Sequence, residues 1–173
     1  MNGFWLLVPF LLIRFVYLSK LNKHAIKRAA HFPNMQGYEV IAYYIYQFST
    51  IGLCLYLIFL KIDNYTSWLF FSGVIIYCLG LILCTLTIHD FAKPSSTGIN
   101  RNGIYRYSRN PMYVSYFFIF VGCALLTESI LLLIIVLIFQ ISSHWIILSE
   151  EKWCKDQFKE EYIQYMKSVK RYF

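Results

Sequence analysis

The sequence predicts an all-α integral membrane protein of about five transmembrane helices, followed by a C-terminal cytoplasmic amphipathic helix. Three observations carry this. Hydrophobic residues make up 58% of the 173 residues and charged residues only 14%, against ~45–50% and ~25% in soluble domains. The apolar residues fall into five runs rather than into alternating patterns. Fourteen of the 16 basic residues lie in three of the segments that follow those runs. The length fits a single domain over residues 1–173.

The runs cover residues 3–18, 38–60, 68–88, 112–126 and 129–148. A full crossing takes roughly 20 residues. The fourth run is short and is parted from the fifth only by Thr127 and Glu128, which predicts a tight helical hairpin across a thin or tilted region. No cleavable leader is expected, because the first run lacks a basic start and is interrupted by Arg14. Arg14 lies about one turn from the end of that run and is expected to snorkel to the interface. Trp5, Trp68 and Trp145 fall near span ends, as interfacial aromatics do.

Charge sets the expected orientation. Lys20, Lys23, Lys27 and Arg28 follow the first run, and Lys93, Arg101, Arg106 and Arg109 follow the third. Lys152, Lys155, Lys159, Lys167, Lys170 and Arg171 follow the fifth. Five crossings put all three segments on one side. The positive-inside rule makes that side the cytoplasm, with the N-terminus outside. The net charge of +7 is thus matched to lipid head groups, and no nucleic-acid motif or partner is indicated. The five cysteines form no C-x-x-C pair and have no histidines at ligand spacing, so no metal site is expected.

The tail differs in kind. Cys154, Phe158, Tyr162, Tyr165, Met166 and Val169 recur at spacings of three and four with charges between, the pattern of an amphipathic helix. No Pro or Gly follows Gly122, so the fifth span is expected to run into this tail without a break.

Two segments offer chemistry. The first is Gly103-Ile104-Tyr105-Arg106-Tyr107-Ser108-Arg109-Asn110-Pro111-Met112-Tyr113. Asn110 is placed to cap a helix whose first residue is Pro111. A helix N-terminus with Arg109 beside it favours an anion. Taken alone, the segment reads equally as a juxtamembrane anchor of arginines and tyrosines. The second is Glu150-Glu151, where the last span ends; paired carboxylates there suit a cation, or a solvated helix exit. His144, about two turns earlier, reads as a hydrogen-bonded interfacial residue.

Together the segments resemble the isoprenylcysteine carboxyl methyltransferases. The matching pieces are Gly103, Tyr105, Arg109-Asn110-Pro111-Met112-Tyr113, then Glu150-Glu151, Phe158, Tyr162 and Tyr165. The resemblance covers roughly residues 97–171. It implies a membrane enzyme that takes a methyl group from S-adenosylmethionine and passes it to a lipid-like or prenylated substrate entering from the bilayer. It also implies cofactor contacts at Thr97, Gly98, Ile99, Asn100, Tyr105, Asn110, Met112, Tyr113 and Glu150. Arg109 and Glu151 become catalytic candidates that complete or orient the pocket. The chain differs from that family at three places. Asn110 stands where histidine is common, and Asn-Pro-Met-Tyr is also how the related phospholipid N-methyltransferases read. Lys159 replaces a glycine after the tail phenylalanine, and Ile146 replaces an arginine one turn before the glutamates.

Methyl transfer from a sulfonium is an in-line displacement that positioning can accelerate. A carboxylate acceptor needs no base, and none is evident in the sequence, which favours a methyl ester slightly over an N-methylated amine. The competing class is a non-catalytic scaffold or transporter subunit. A transporter would carry broken helices or mid-membrane polar groups, and the second, third and fifth runs have no charge at their centres. An inactive relative that keeps the pocket is a third reading.

Overall fold

Backbone buried in lipid has no water to bond with, so each apolar run must close its hydrogen bonds internally as a helix. The computed structural model describes residues 1–94 and 98–173, and within them every long apolar run is helical. We number the helices α1 Gly3–Leu21, α2 Lys23–Ala29, α3 Tyr38–Phe59, α4 Trp68–Phe91, α5 Pro111–Leu126 and α6 Ile130–Ser168. α1, α3, α4 and α6 are long and apolar enough to cross a bilayer. The 16 residues of α5 reach about 24 Å at 1.5 Å per residue, so this is the short member of the expected hairpin. The protein is an all-α integral membrane protein.

Local sequence sets the ends. Asn2 accepts a bond from the Phe4 amide where α1 begins, and Ser67 and Ser129 do the same for Leu69 and Leu132 at the starts of α4 and α6. α1 runs three residues beyond its apolar stretch, until Asn22 turns extended (φ −160°) and caps α2 through the His24 amide. A π-helical turn, Leu12–Tyr17, widens α1 around Arg14.

α4 and α5 pack as closely as backbones allow. A Cβ on Gly80 would lie 2.6 Å from the Ile119 amide nitrogen, and one on Gly122 would lie 2.7 Å from the Tyr77 backbone. Small residues at membrane helix contacts permit this approach. α1 joins through Tyr77, whose hydroxyl donates to the Leu6 carbonyl at 2.6 Å, and through edge contacts of Phe10 with Tyr116 and Phe120. Leu53, Leu57, Cys84, Ile119, Leu132 and Val136 are fully buried between the helices. Phe48, Phe59, Trp68 and Ile130, by contrast, are more than two-thirds exposed. That outward apolar belt is a lipid-facing surface.

The two ends of the bundle differ. At one end the N-terminus is pinned to the α3–α4 connection, where the Gly3 amide donates to the Leu60 carbonyl at 2.8 Å. At the other end the three basic segments gather. Asn22 and Arg28 donate to the Ala92 and Phe91 carbonyls, and the Arg109 amide donates to the Lys170 carbonyl. α6 leaves the apolar half (residues 130–148) without interruption, as expected, and breaks only at Lys159 (φ 49°, ψ −129°). Beyond the break, Tyr162 and Tyr165 pack on Ile99, flanked by Cys154, Phe158, Met166 and Val169. The amphipathic face of the tail therefore covers the α4–α5 connection.

Candidate functional site

The α4–α5 connection is shaped by Gly103. It sits at φ +56°, and a Cβ there would come within 1.9 Å of a carboxylate oxygen of Asp90, which accepts the Ile104 amide at 2.9 Å. Only glycine fits. The turn Gly103–Arg106 buries Tyr105, whose carbonyl accepts the Tyr165 hydroxyl at 2.6 Å, and so holds the tail over the connection.

At the start of α5, Pro111 is the first helical residue, as expected, but Asn110 does not cap with its side chain. Its Nδ2 instead donates to Glu151 Oε1 at 3.3 Å and to the Arg171 carbonyl at 3.2 Å. A buried carboxylate is a stronger acceptor than a neutral group, and it outcompetes the capping geometry. The anion expected beside Arg109 is likewise built in. Arg109 donates through Nε and Nη2 to Glu151 Oε1 at 3.0 and 2.8 Å, and through Nη1 to the Met166 and Val169 carbonyls. Arg171 occupies Glu151 Oε2 at 3.1 and 2.9 Å. Glu151 is 3% exposed. Burial pushes its pKa up, but the bonds from Arg171 and Arg109 outweigh burial and hold it below the usual carboxylate range. This clamp ties α5, α6 and the last residues of the chain together.

Glu150 faces the other way. Its Oε1 accepts the Tyr113 hydroxyl at 2.8 Å. Burial pushes its pKa up to about 7, against the opposing effects of that bond and of the Arg14 charge. It borders a cavity of about 520 Å³, within the size range of small-molecule sites. Of the residues singled out in the sequence, Gly98, Ile99, Asn100, Tyr105, Arg109, Asn110, Met112, Tyr113, Glu150 and Glu151 all border this cavity. Thr97 lies outside the described residues. The Asn100 side-chain oxygen is buried and has no hydrogen-bond partner among the described residues.

Other wall residues were not foreseen. Tyr46 of α3 and Tyr116 of α5 line the cavity, and His31 and Trp153 meet at its edge with ring centres 5.2 Å apart. Mid-span tyrosines carry no signal of position in the sequence. Arg14 does, as a charge within a span, and its side chain reaches toward the end of the bundle where the basic segments gather. α1 continues to Leu21, so Arg14 lies about two turns from the helix end rather than one. It donates to the Ala29 carbonyl at 2.9 Å and to the Met112 sulfur at 3.3 Å. His144 pairs with the Tyr172 hydroxyl at 2.7 Å and is a hydrogen-bonded residue, as read from the sequence.

A family model described as phospholipid methyltransferase matches residues 68–161, more than half of the chain. The match runs from the first residue of α4 into the tail and includes Glu150 and Glu151; Arg14 and Tyr46 precede it. No curated protein and no solved structure matches the chain.

Proposed function

We propose that this chain, which belongs to the phospholipid methyltransferase family, transfers a methyl group from S-adenosylmethionine to the head group of a membrane lipid. The observation that carries the reading is the cavity itself, where an incompletely bonded carboxylate, Glu150, stands among tyrosines and the Asn100 oxygen has no partner among the described residues. Carboxylates and aromatic faces both favour cations, and the cofactor bears a sulfonium and an ammonium. When bound, it supplies an electrophilic methyl group. Gly98, Ile99, Asn100, Tyr105, Asn110, Met112, Tyr113 and Glu150 are the residues that would hold it, with Thr97 retained on sequence grounds. Arg109 and Glu151 act as positioning residues, since their polar atoms are spent on each other and on the tail.

The whole chain, residues 1–173, works as one domain in this reading, because Arg14 and Tyr46 complete a cavity built mainly from residues between 98 and 165. Convergence of the three basic segments at the cavity end supports a cytoplasmic site and an N-terminus outside. In a cysteine-free variant, single cysteines at Lys27, Arg101 and Lys167 should resist an impermeant thiol reagent in intact cells, and one at Asn64 should react. The reverse pattern would reject the orientation.

The family and the pocket chemistry together favour an amine acceptor over a prenylcysteine. An ammonium must lose a proton before it attacks, and Glu150, with a pKa near neutrality, is suited to accept it. A carboxylate acceptor is the second reading, favoured by the Arg14 guanidinium at the cavity wall. Membranes containing the protein are to be incubated with methyl-labelled S-adenosylmethionine, and the lipid extract treated with mild alkali. Label that stays in a non-volatile lipid product supports N-methylation. Label released as methanol moves the acceptor to a carboxylate, and no incorporation above a Glu150→Gln control favours a non-catalytic scaffold.

A further inference from the structure

Arg14 is a positive charge within a membrane span, and such charges need partners. The structure gives it only weak ones. Its Nη2 and Nη1 donate to a carbonyl and a thioether, and its guanidinium carbon lies 5.8 Å from the Tyr116 ring centre. A guanidinium has five N–H groups, so three remain unspent. Among the described residues no carboxylate pairs with it. The two acidic residues that border the cavity are otherwise engaged, Glu150 with Tyr113 and Glu151 with two arginines.

The helix is shaped at this position. The π-helical turn Leu12–Tyr17 has Arg14 inside it, and widened turns of this kind recur at functional sites. Different elements supply the walls of the cavity. Arg14 lies seven residues, about 10 Å of helix, below the end of α1 at Leu21. It sits beside Met112, in the first turn of α5, and Tyr116, about one turn further along that helix. Asn100 and Gly98 come from the α4–α5 connection, where Gly98 faces Phe158 of the tail. Lys27 and Arg28 also border the cavity. The cavity is thus cationic on the wall supplied by the first helices and anionic at Glu150, a polarity complementary to a zwitterion.

We infer that Arg14 is the anion-recognising residue of this site and binds the phosphate of the acceptor lipid's head group from within the membrane span. Arginine holds phosphate through paired, charge-assisted bonds, and this phosphate would supply the directly bonded counter-charge that Arg14 lacks among the described residues, where Glu150 acts on it only through space. The inference rests on the methyltransferase reading and assigns its substrate side.

Binding calorimetry on the purified full chain in detergent tests it, with three probes. These are S-adenosylhomocysteine, a short-chain phosphatidylethanolamine below its micellar concentration, and the diacylglycerol of equal chain length. Arg14→Gln should weaken the phospholipid by at least ~10-fold, as expected for a lost charged hydrogen bond, and leave the other two probes within about two-fold. Arg14→Lys, which keeps the charge and guards against misfolding, should lose less. Loss confined to S-adenosylhomocysteine would assign the anion to the cofactor's carboxylate and overturn the inference. So would equal losses of all probes, which mark a framework role, or no loss of any. An unmodified protein that binds S-adenosylhomocysteine but not the phospholipid also overturns it while leaving the methyl-donor site standing. Failure to bind S-adenosylhomocysteine at all strikes the methyltransferase reading instead.

Discussion

Glu150 and Glu151 are neighbours in the chain, yet they belong to two different regions of the molecule. On a helix, successive residues point about 100° apart, which turns Glu151 into the clamp behind α6 and Glu150 into the cavity in front of it. Glu151 receives bonds from Arg109, Asn110 and Arg171 on its two oxygens and stays ionised. Glu150 has one tyrosine and an open volume, and its pKa rises to about 7. A buried carboxylate whose every lone pair is occupied is doing structural work. One left incompletely bonded at the edge of a cavity is destabilised, and a cationic ligand can relieve that. The same side chain therefore stabilises the protein on one face and awaits a partner on the other.

The clamp should fail first and hardest. Glu151→Ala leaves Arg109, whose side chain is 7% exposed, as a buried charge without a counter-ion, a loss of about 3–5 kcal/mol in comparable cases. Thermal unfolding in detergent reads it as a large drop in Tm. The pH dependence has a definite sign. Because the folded pKa of Glu151 lies below its ordinary value of 4.5, its contribution is present above that value and is lost as pH falls through the folded one. The variant should lack this acid-side component. An unchanged Tm would mean that the clamp does not hold the site together.

Glu150 should respond in the opposite direction. Its folded pKa of about 7 lies above 4.5, so the folded state binds the proton more tightly and stability declines as pH rises from about 4.5 to 7. Above 7 the ionised carboxylate is carried at a cost. Glu150→Gln removes that cost and should raise stability by about 1–3 kcal/mol at pH 8, and by little at pH 4. The same variant should lose S-adenosylhomocysteine binding measured by calorimetry. Stabilisation without loss of binding would separate Glu150 from the ligand site; neither effect would place the two glutamates in equivalent settings.

How far this contrast was legible in the sequence depends on the distance over which each feature is decided. The spans were legible because lipid imposes a length and a composition on every crossing, and the 14-of-16 charge distribution pairs the loops by side. The amphipathic tail was legible from the three-and-four spacing of its six apolar residues, which pack in one cluster although the helix breaks at Lys159 and ends before Val169. The grouping of Gly103 to Tyr113 with Glu150 and Glu151 came from resemblance. Capping by Asn110 was misread because the competitor for its side chain, Glu151, lies 41 residues away. Arg14 was placed one turn too near its helix end because α1 outlasts its apolar run by three residues, and its partner, the Ala29 carbonyl, is supplied by the next helix. Nothing local distinguishes Glu150 from Glu151; the difference is made by which helix each one faces.

The smallest expected effect probes how the clamp side is delivered to the cavity side. Lys159 adopts φ 49° and ψ −129°, a combination that Cβ disfavours and glycine accepts freely. This break lets the tail turn so that Tyr162 and Tyr165 cover Ile99, and so that Arg171 arrives at Glu151. The sequence carries lysine where the resembling enzymes carry glycine, so the backbone keeps the turn and bears its strain. Such conformations cost of the order of 1–3 kcal/mol, and glycine returns part of the gain through its greater freedom when unfolded. Lys159→Gly should therefore stabilise the protein by about 1 kcal/mol. Lys159 is exposed, so loss of its charge is the competing explanation, and Lys159→Ala isolates it because alanine removes the charge but keeps the Cβ. Unfolding measured side by side should rank glycine above alanine, with alanine close to lysine. An alanine variant as stable as the glycine one would assign the effect to charge and remove strain from the account of how the tail reaches the clamp.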